Sequence, residues 1–340
     1  PANGLRRGAA SRSNGIAADA AAAAARLDEA LSLDPRNELL LLTRVLVEGG
    51  AIGNFWHTMR SDTAQTGLDL AYDLADAGLY AQARAILESV PDPNTPMVGY
   101  TLAYLAARLG GDPEPDLVRA RQVMPAARFP FRLWELRVLE WAVQLDPGDA
   151  KAADLLACLL YDKGHAERAA GLWEHAHALE PDSALYARNL AVAYFSHLNR
   201  RDDALSLLVQ AMELDPDHDQ LKLEYLYAAN RSGVPGQTRL EIIRAHPLKN
   251  ARDERDDYVL EKARAYLTAG RWDEAEQVML AHDFVPAEGG ERAILELYYI
   301  LMLHRARLAL REGRYEEAFA CLRETRERPP ENLNAGAWTE

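Results

Sequence analysis

The sequence predicts an all-α fold, a right-handed superhelix of helix–turn–helix pairs of the α-solenoid kind. Three observations predict it. A short ending, Leu-Asp-Pro or Leu-Glu-Pro, closes at Pro147, Pro181 and Pro216, so successive copies lie 34 and 35 residues apart. Between these endings, small and bulky apolar residues stand three and four apart, the steps of one helix face. No stretch alternates apolar and polar residues as a half-buried strand does.

A fixed period near 34 is the signature of tetratricopeptide repeats, units that bury their apolar faces only against neighbours. Residues 148–216 hold two of them. In the first, Leu156, Ala157 and Leu160 share a face of helix A, and Gly164 breaks the chain. Ala169, Trp173 and Ala176 then share a face of helix B. The alanines mark close helix approach, Trp173 fills the gap they leave, and Pro181 cannot continue the helix. The second copy repeats the pattern with Leu190, Ala191, Tyr194, Ala204, Leu208 and Ala211. Its extra residue falls in the turn at 196–201, where insertions are tolerated. Ala169→Leu is expected to destabilise the chain by about 1–3 kcal/mol through overpacking. Thermal unfolding checks this, and an unchanged Tm would count against the register.

The other segments follow in order. Residues 1–62 read as a partly irregular N-terminal repeat: half-formed helix over 1–15, then helix over 17–33 with Leu27, Ala30 and Leu31 on one face. A helix over 38–48 stops at Gly49-Gly50, and 51–62 reads as irregular connection. Residues 63–147 read as divergent repeats. Helices 63–77 and 80–90 pair about Gly78, with Ala83 and Leu87 in the small and large places. Helices follow at 96–109, 116–124 and 132–145, with 129–131 extended because Pro130 disfavours helix before it. Residues 217–328 read as C-terminal repeats: 219–232 with 238–245, 255–268 with 272–282, and 291–312 with 315–326. Their marker positions are Ala263, Tyr266, Gly270, Ala275 and Met279, then Ala306, Gly313, Ala318 and Leu322. A loop spans 284–290, and 329–340 reads as an extended tail.

Composition narrows function. A net charge of −14 with no basic stretch argues against nucleic acid and leaves room for a basic partner. No run of about 18 apolar residues predicts a membrane span, and the chain is expected to be cytoplasmic. Arg6-Arg7 before an alanine run suggests a targeting peptide, but Asp19 interrupts the run and alanine is a weak hydrophobe, so none is expected. Pro1 in first place fits a processed start or a piece of a longer protein. Cys158 and Cys321 are too few for a disulfide framework and read as buried free thiols. Trp134, Trp141, Trp173 and Trp272 read as core rather than sugar platform, with Trp134 and Trp56 the exceptions because both flank irregular segments.

No metal or cofactor site is expected. His175 and His177 point to different sides of a helix. His-Glu-x-x-His, Cys-x-x-Cys, phosphate-binding glycine and Gly-x-Ser-x-Gly motifs do not occur. The candidate binding residues are the helix A positions that do not pack inward, which would line the concave face. They are Asp154, Tyr161, Asp162, Arg188, Asn189, Glu224, Tyr227, Glu261 and Arg264. They read either as a mixed-charge groove for an extended peptide or neighbouring domain, or as a solvated face with hydrogen bonds between repeats. Glu288 and Glu291 flank Gly289-Gly290; two carboxylates there suit acid–base chemistry, or an ordinary turn with Glu291 on the first turn of a helix.

Several phrases stand in one order: FPFRLWELRVLEWA (129–142), LLYDKGHAERAAGLWE (159–174), RNLAVAYF (188–195), RDDYVLE (255–261), FVPAEGGE (284–291) and PENLNAG (330–336). Over roughly residues 60–336 the chain resembles the C-terminal repeat region of a bacterial family of unknown function, with Ala287 where the family carries Trp. Members of that family carry an N-terminal β-rich domain similar to carbohydrate-active enzymes. Two functions are therefore expected. One is a non-catalytic interaction scaffold for a protein or peptide segment, or for an adjacent N-terminal domain. The other is an accessory region lending loop carboxylates to a carbohydrate-processing site. Oligomeric state is not legible.

Overall fold

The computed structural model describes residues 21–48, 50–57, 62–123, 129–249, 254–285, 290–327 and 330–334, and the reading of 1–15 lies outside them. Among these residues the fold is all-α, built of successive helix–turn–helix pairs with no strand. The chain forms two compact units, residues 1–164 and 165–340.

The first unit holds α1 (residues 21–33), α2 (Glu38–Val47), α3 (Ile52–Trp56), α4 (Thr63–Asp76), α5 (Tyr80–Glu88), α6 (Pro96–Arg108), α7 (Glu114–Gln122), α8 (Leu133–Leu145) and α9 (Ala150–Asp162). The second holds α10 (Ala166–Leu179), α11 (Ala184–Ser196), α12 (Arg201–Leu214), α13 (Asp219–Arg231), α14 (Gly236–Ala245), α15 (Asp256–Thr268), α16 (Trp272–Leu280), α17 (Glu291–Arg311) and α18 (Tyr315–Glu327), followed by a 3-10 turn at Glu331–Leu333.

Helix A gives way to helix B through one device. Gly78, Gly110, Gly164, Gly233, Gly270 and Gly313 follow helices at φ between 74° and 82°, and Asn199 does so at 53°. A residue in this left-handed region satisfies the last carbonyls and reverses the chain, which glycine does without a Cβ penalty. Pairs pack closely behind these turns. A Cβ on Gly236, at the start of α14, would lie 2.2 Å from the Ala265 carbonyl oxygen of α15.

Burial agrees with the alternation of small and large residues. Ala157, Ala169, Ala176, Ala191, Ala204 and Ala211 are all 0 % exposed, and Trp173 and Leu208 are buried. The same holds for Ala83 and Leu87, and for Ala263, Ala275 and Met279.

The structure corrects five expectations. Residues 51–62 are not wholly irregular, because α3 buries Phe55 and Trp56. Trp56 is therefore core, its Nε1 donating to Ser89 Oγ at 2.9 Å. Cys321 is a buried free thiol, but Cys158 is only half-buried. Leu322 is exposed: no helix follows α18 among the described residues, so Tyr315, Phe319 and Leu322 keep a bare stripe. The tail is not simply extended. Glu331–Leu333 turns back, and Leu333 enters the core beside Met279 and Phe284 with no exposed surface. Trp134 stays half-buried, stacked on Tyr72, and Trp272 stacks on His304 with rings 3.5 Å apart and parallel.

Candidate functional site

In the second unit, α11, α13 and α15 are the first helices of consecutive pairs, and a cavity of about 540 Å³ lies among them. Helical spacing puts Arg188 and Val192, Glu224 and Tyr227, and Glu261 and Arg264 on its wall, three or four residues apart on their own helices. Most of the lining is apolar, with Ala191, Phe195, Leu223 and Leu260 between the charged groups.

The charged groups are fixed. Arg188 forks onto Glu224, donating from Nε to Oε2 at 2.9 Å and from Nη2 to Oε1 at 2.7 Å, across neighbouring pairs. Such two-pronged bonds hold orientation as well as charge. Its Nη1 donates to Asn189 Oδ1 at 3.0 Å, and Gln220 Nε2 to Glu224 Oε1 at 3.3 Å. Tyr227 is exposed and stands edge-on to Phe195, with the Arg231 guanidinium over its ring.

Glu261 differs from the rest. Its side chain is 7 % exposed; Oε1 accepts from Arg264 Nη1 at 2.5 Å, while Oε2 is buried with no hydrogen-bond partner. A buried acceptor left unsatisfied costs about 1–3 kcal/mol. Arg239 of α14 lies within electrostatic reach of it. Burial lowers the Arg239 pKa and the charge of Glu261 opposes that shift. Arg239 donates to the Val234 carbonyl and to Thr268 Oγ1, its Nη1 has no partner, and it does not line the cavity.

Arg188, Glu224, Tyr227, Glu261 and Arg264 thus meet on one cavity, with buried Asn189 holding Arg188 from behind. Asp154, Tyr161 and Asp162 belong to α9 of the first unit and are not in this lining. Asp154 is buried, Tyr161 half-buried, and exposed Asp162 pairs with Lys163. Glu288 and the Glu291 side chain lie outside the described residues.

Sequence reasoning missed a clasp that joins three of the phrases quoted above. Asp256 Oδ1 lies 2.7 Å from His282 Nε2, and Asp256 Oδ2 accepts from the Val285 N–H at 3.0 Å. The Phe284 N–H donates to the Asn332 carbonyl at 2.8 Å. Asn332 Nδ2 is shared among the carbonyls of Met279, Leu280 and His282 at 3.1, 3.3 and 2.9 Å. The one signal in the sequence was the fixed order of these phrases. A second cavity of about 390 Å³ beside the clasp is lined by Val285, Ala293 and Ile294, and shares Asp257 and Leu260 with the first. Among the described residues no group of three or more His, Cys, Asp or Glu side chains is placed to hold a metal ion, and no helix is long and apolar enough to cross a membrane.

No family model matches the chain, so the resemblance to the bacterial family stands on the order of its phrases alone. Among solved structures, the chain is similar to a tetratricopeptide repeat protein from Parabacteroides merdae, at 15% identity over 81% of this chain and 97% of that one, with a TM-score of 0.38. It is also similar to MamA, residues 41 to the end, from Desulfovibrio magneticus RS-1, at 18% identity over 58% of this chain and all of that one, with a TM-score of 0.35.

Proposed function

We propose that the chain is a non-catalytic interaction scaffold whose cavity among α11, α13 and α15 receives a segment of a protein partner or of an adjacent domain. The observation that carries this reading is the cavity itself: about 540 Å³ of mostly apolar wall, set between charged groups already fixed by their own hydrogen bonds. Pre-formed, largely apolar concavities with few oriented polar groups are what ligands bind. The test is affinity capture with the purified chain. Partners held by the wild type should fall at least five-fold with Arg188→Glu/Asn189→Ala and with Val192→Trp, each variant first checked by circular dichroism to be folded at the assay temperature. Equal recovery by both variants removes the reading.

A second reading is favoured by the clasp, which holds Val285, three residues before Glu288 in the sequence. In it, the repeats serve as an accessory region of a carbohydrate-active enzyme, and Glu288 and Glu291 complete a site on an adjoining β domain. Glycoside hydrolysis lost on Glu288→Gln supports it; hydrolysis unaffected by that change overturns it.

A further inference from the structure

We infer that the segment received by this groove is an extended peptide with one Lys or Arg set between two apolar side chains, its cationic head bonded to Glu261. This rests on the groove reading above and adds the chemistry of the guest.

Three observations carry it. Glu261 Oε2 is a buried acceptor with no hydrogen-bond partner among the described residues, on a side chain more than nine-tenths buried in a residue that lines the cavity. None of the three nearby guanidiniums bonds Oε2, and Arg239, though within electrostatic reach, donates to the Val234 carbonyl and Thr268 Oγ1 instead. Arg188 is committed to both oxygens of Glu224 and to Asn189, and Arg264 reaches only Oε1. Arg264 is one-third exposed, so it can swing aside to let a donor approach the covered oxygen. A guest N–H donor would therefore complete the carboxylate, and a cationic one gains the most from an ionised acceptor in a mostly apolar setting.

The surroundings fit the stem and neighbours of such a residue. Phe195 and Tyr227 offer apolar surface on one side, Val285 and Ile294 on the other, where the second cavity adjoins through Asp257 and Leu260. Val285 is 78 % exposed, an uncovered aliphatic group at the rim. The two cavities together are lined by four carboxylates against three guanidiniums, in a chain of net charge −14. That sign draws a basic guest and repels an acidic one. Alternate residues of an extended chain point the same way, so the apolar anchors belong two positions either side of the cation.

Panning a randomised nonapeptide display library over the immobilised full chain tests this. The expected result is a consensus with Lys or Arg enriched at least five-fold at one position and apolar residues two places before and after it. On Glu261→Gln that enrichment falls to within two-fold of the starting library. In anisotropy titrations, Lys→Gln in an enriched peptide weakens binding to the wild type at least ten-fold, a readout that stands even where Glu261→Gln fails to fold. A consensus without a basic residue, lost on Val192→Trp, overturns the cation and leaves the groove. No enrichment over Val192→Trp overturns both.

Discussion

Asp149→Ala lowers the stability of the first unit by about 2–4 kcal/mol, read from urea or thermal unfolding. Asp149 is the N-cap of α9, its side chain 1 % exposed, and it accepts from the Ala152 N–H at 2.9 Å. It also accepts the Tyr100 hydroxyl at 2.9 and 3.0 Å and Arg121 Nε at 2.9 Å. Loss of the cap accounts for roughly 1 kcal/mol. The buried Tyr100 hydroxyl losing its acceptor adds about 1–3 kcal/mol. Arg121 adds little, because it keeps Asp146 at 2.7 Å and Glu114 at 3.1 Å. Asp149→Asn retains an oxygen for the cap and should lose less than half as much. A variant Asp149→Ala within about 0.5 kcal/mol of wild type, the range of featureless surface changes, would refute the account.

The second large effect belongs to the turn after α18. Leu333→Ala removes a side chain with no exposed surface from a core that includes Met279, Phe284, Ile294 and Leu297. Such truncations cost about 2–5 kcal/mol, depending on how far the site collapses. The expected signature is local as well as global. Amide exchange should speed at Phe284, whose N–H is held by the Asn332 carbonyl. Asn332→Ala should produce the same acceleration with a smaller loss of stability, since its core contact is unchanged. Wild-type exchange at Phe284 in both variants would mean that the turn does not hold this segment.

These two sites show what was legible in the sequence and what was not. The repeat could be read because its information is local: Ala169, Trp173 and Ala176 mark one helix face by spacing alone, and Gly164 stops the chain before them. Five of the candidate residues line one cavity because positions three or four apart on helix A share a side. Asp149 was not singled out; its partners Arg121 and Tyr100 lie 28 and 49 residues upstream, and no periodicity announces them. The turn at 330–334 was hidden by its composition. Two prolines and few apolar residues read as solvated chain, yet one leucine fills a core position and one amide serves three carbonyls some fifty residues away. Trp56 was misplaced for a similar reason, because its partner Ser89 lies 33 residues further on, beyond α4 and α5.

The fork between Arg188 and Glu224 also has a mechanical side. It ties two successive pairs together on the wall of the cavity, which holds that stretch of wall in shape before any guest arrives. A guest would then surrender its own freedom on entry while the host surrenders little, which favours tight association from a modest contact area. Cutting the brace with Arg188→Met would leave the shape available but no longer held, moving that entropic burden from visitor to receptor.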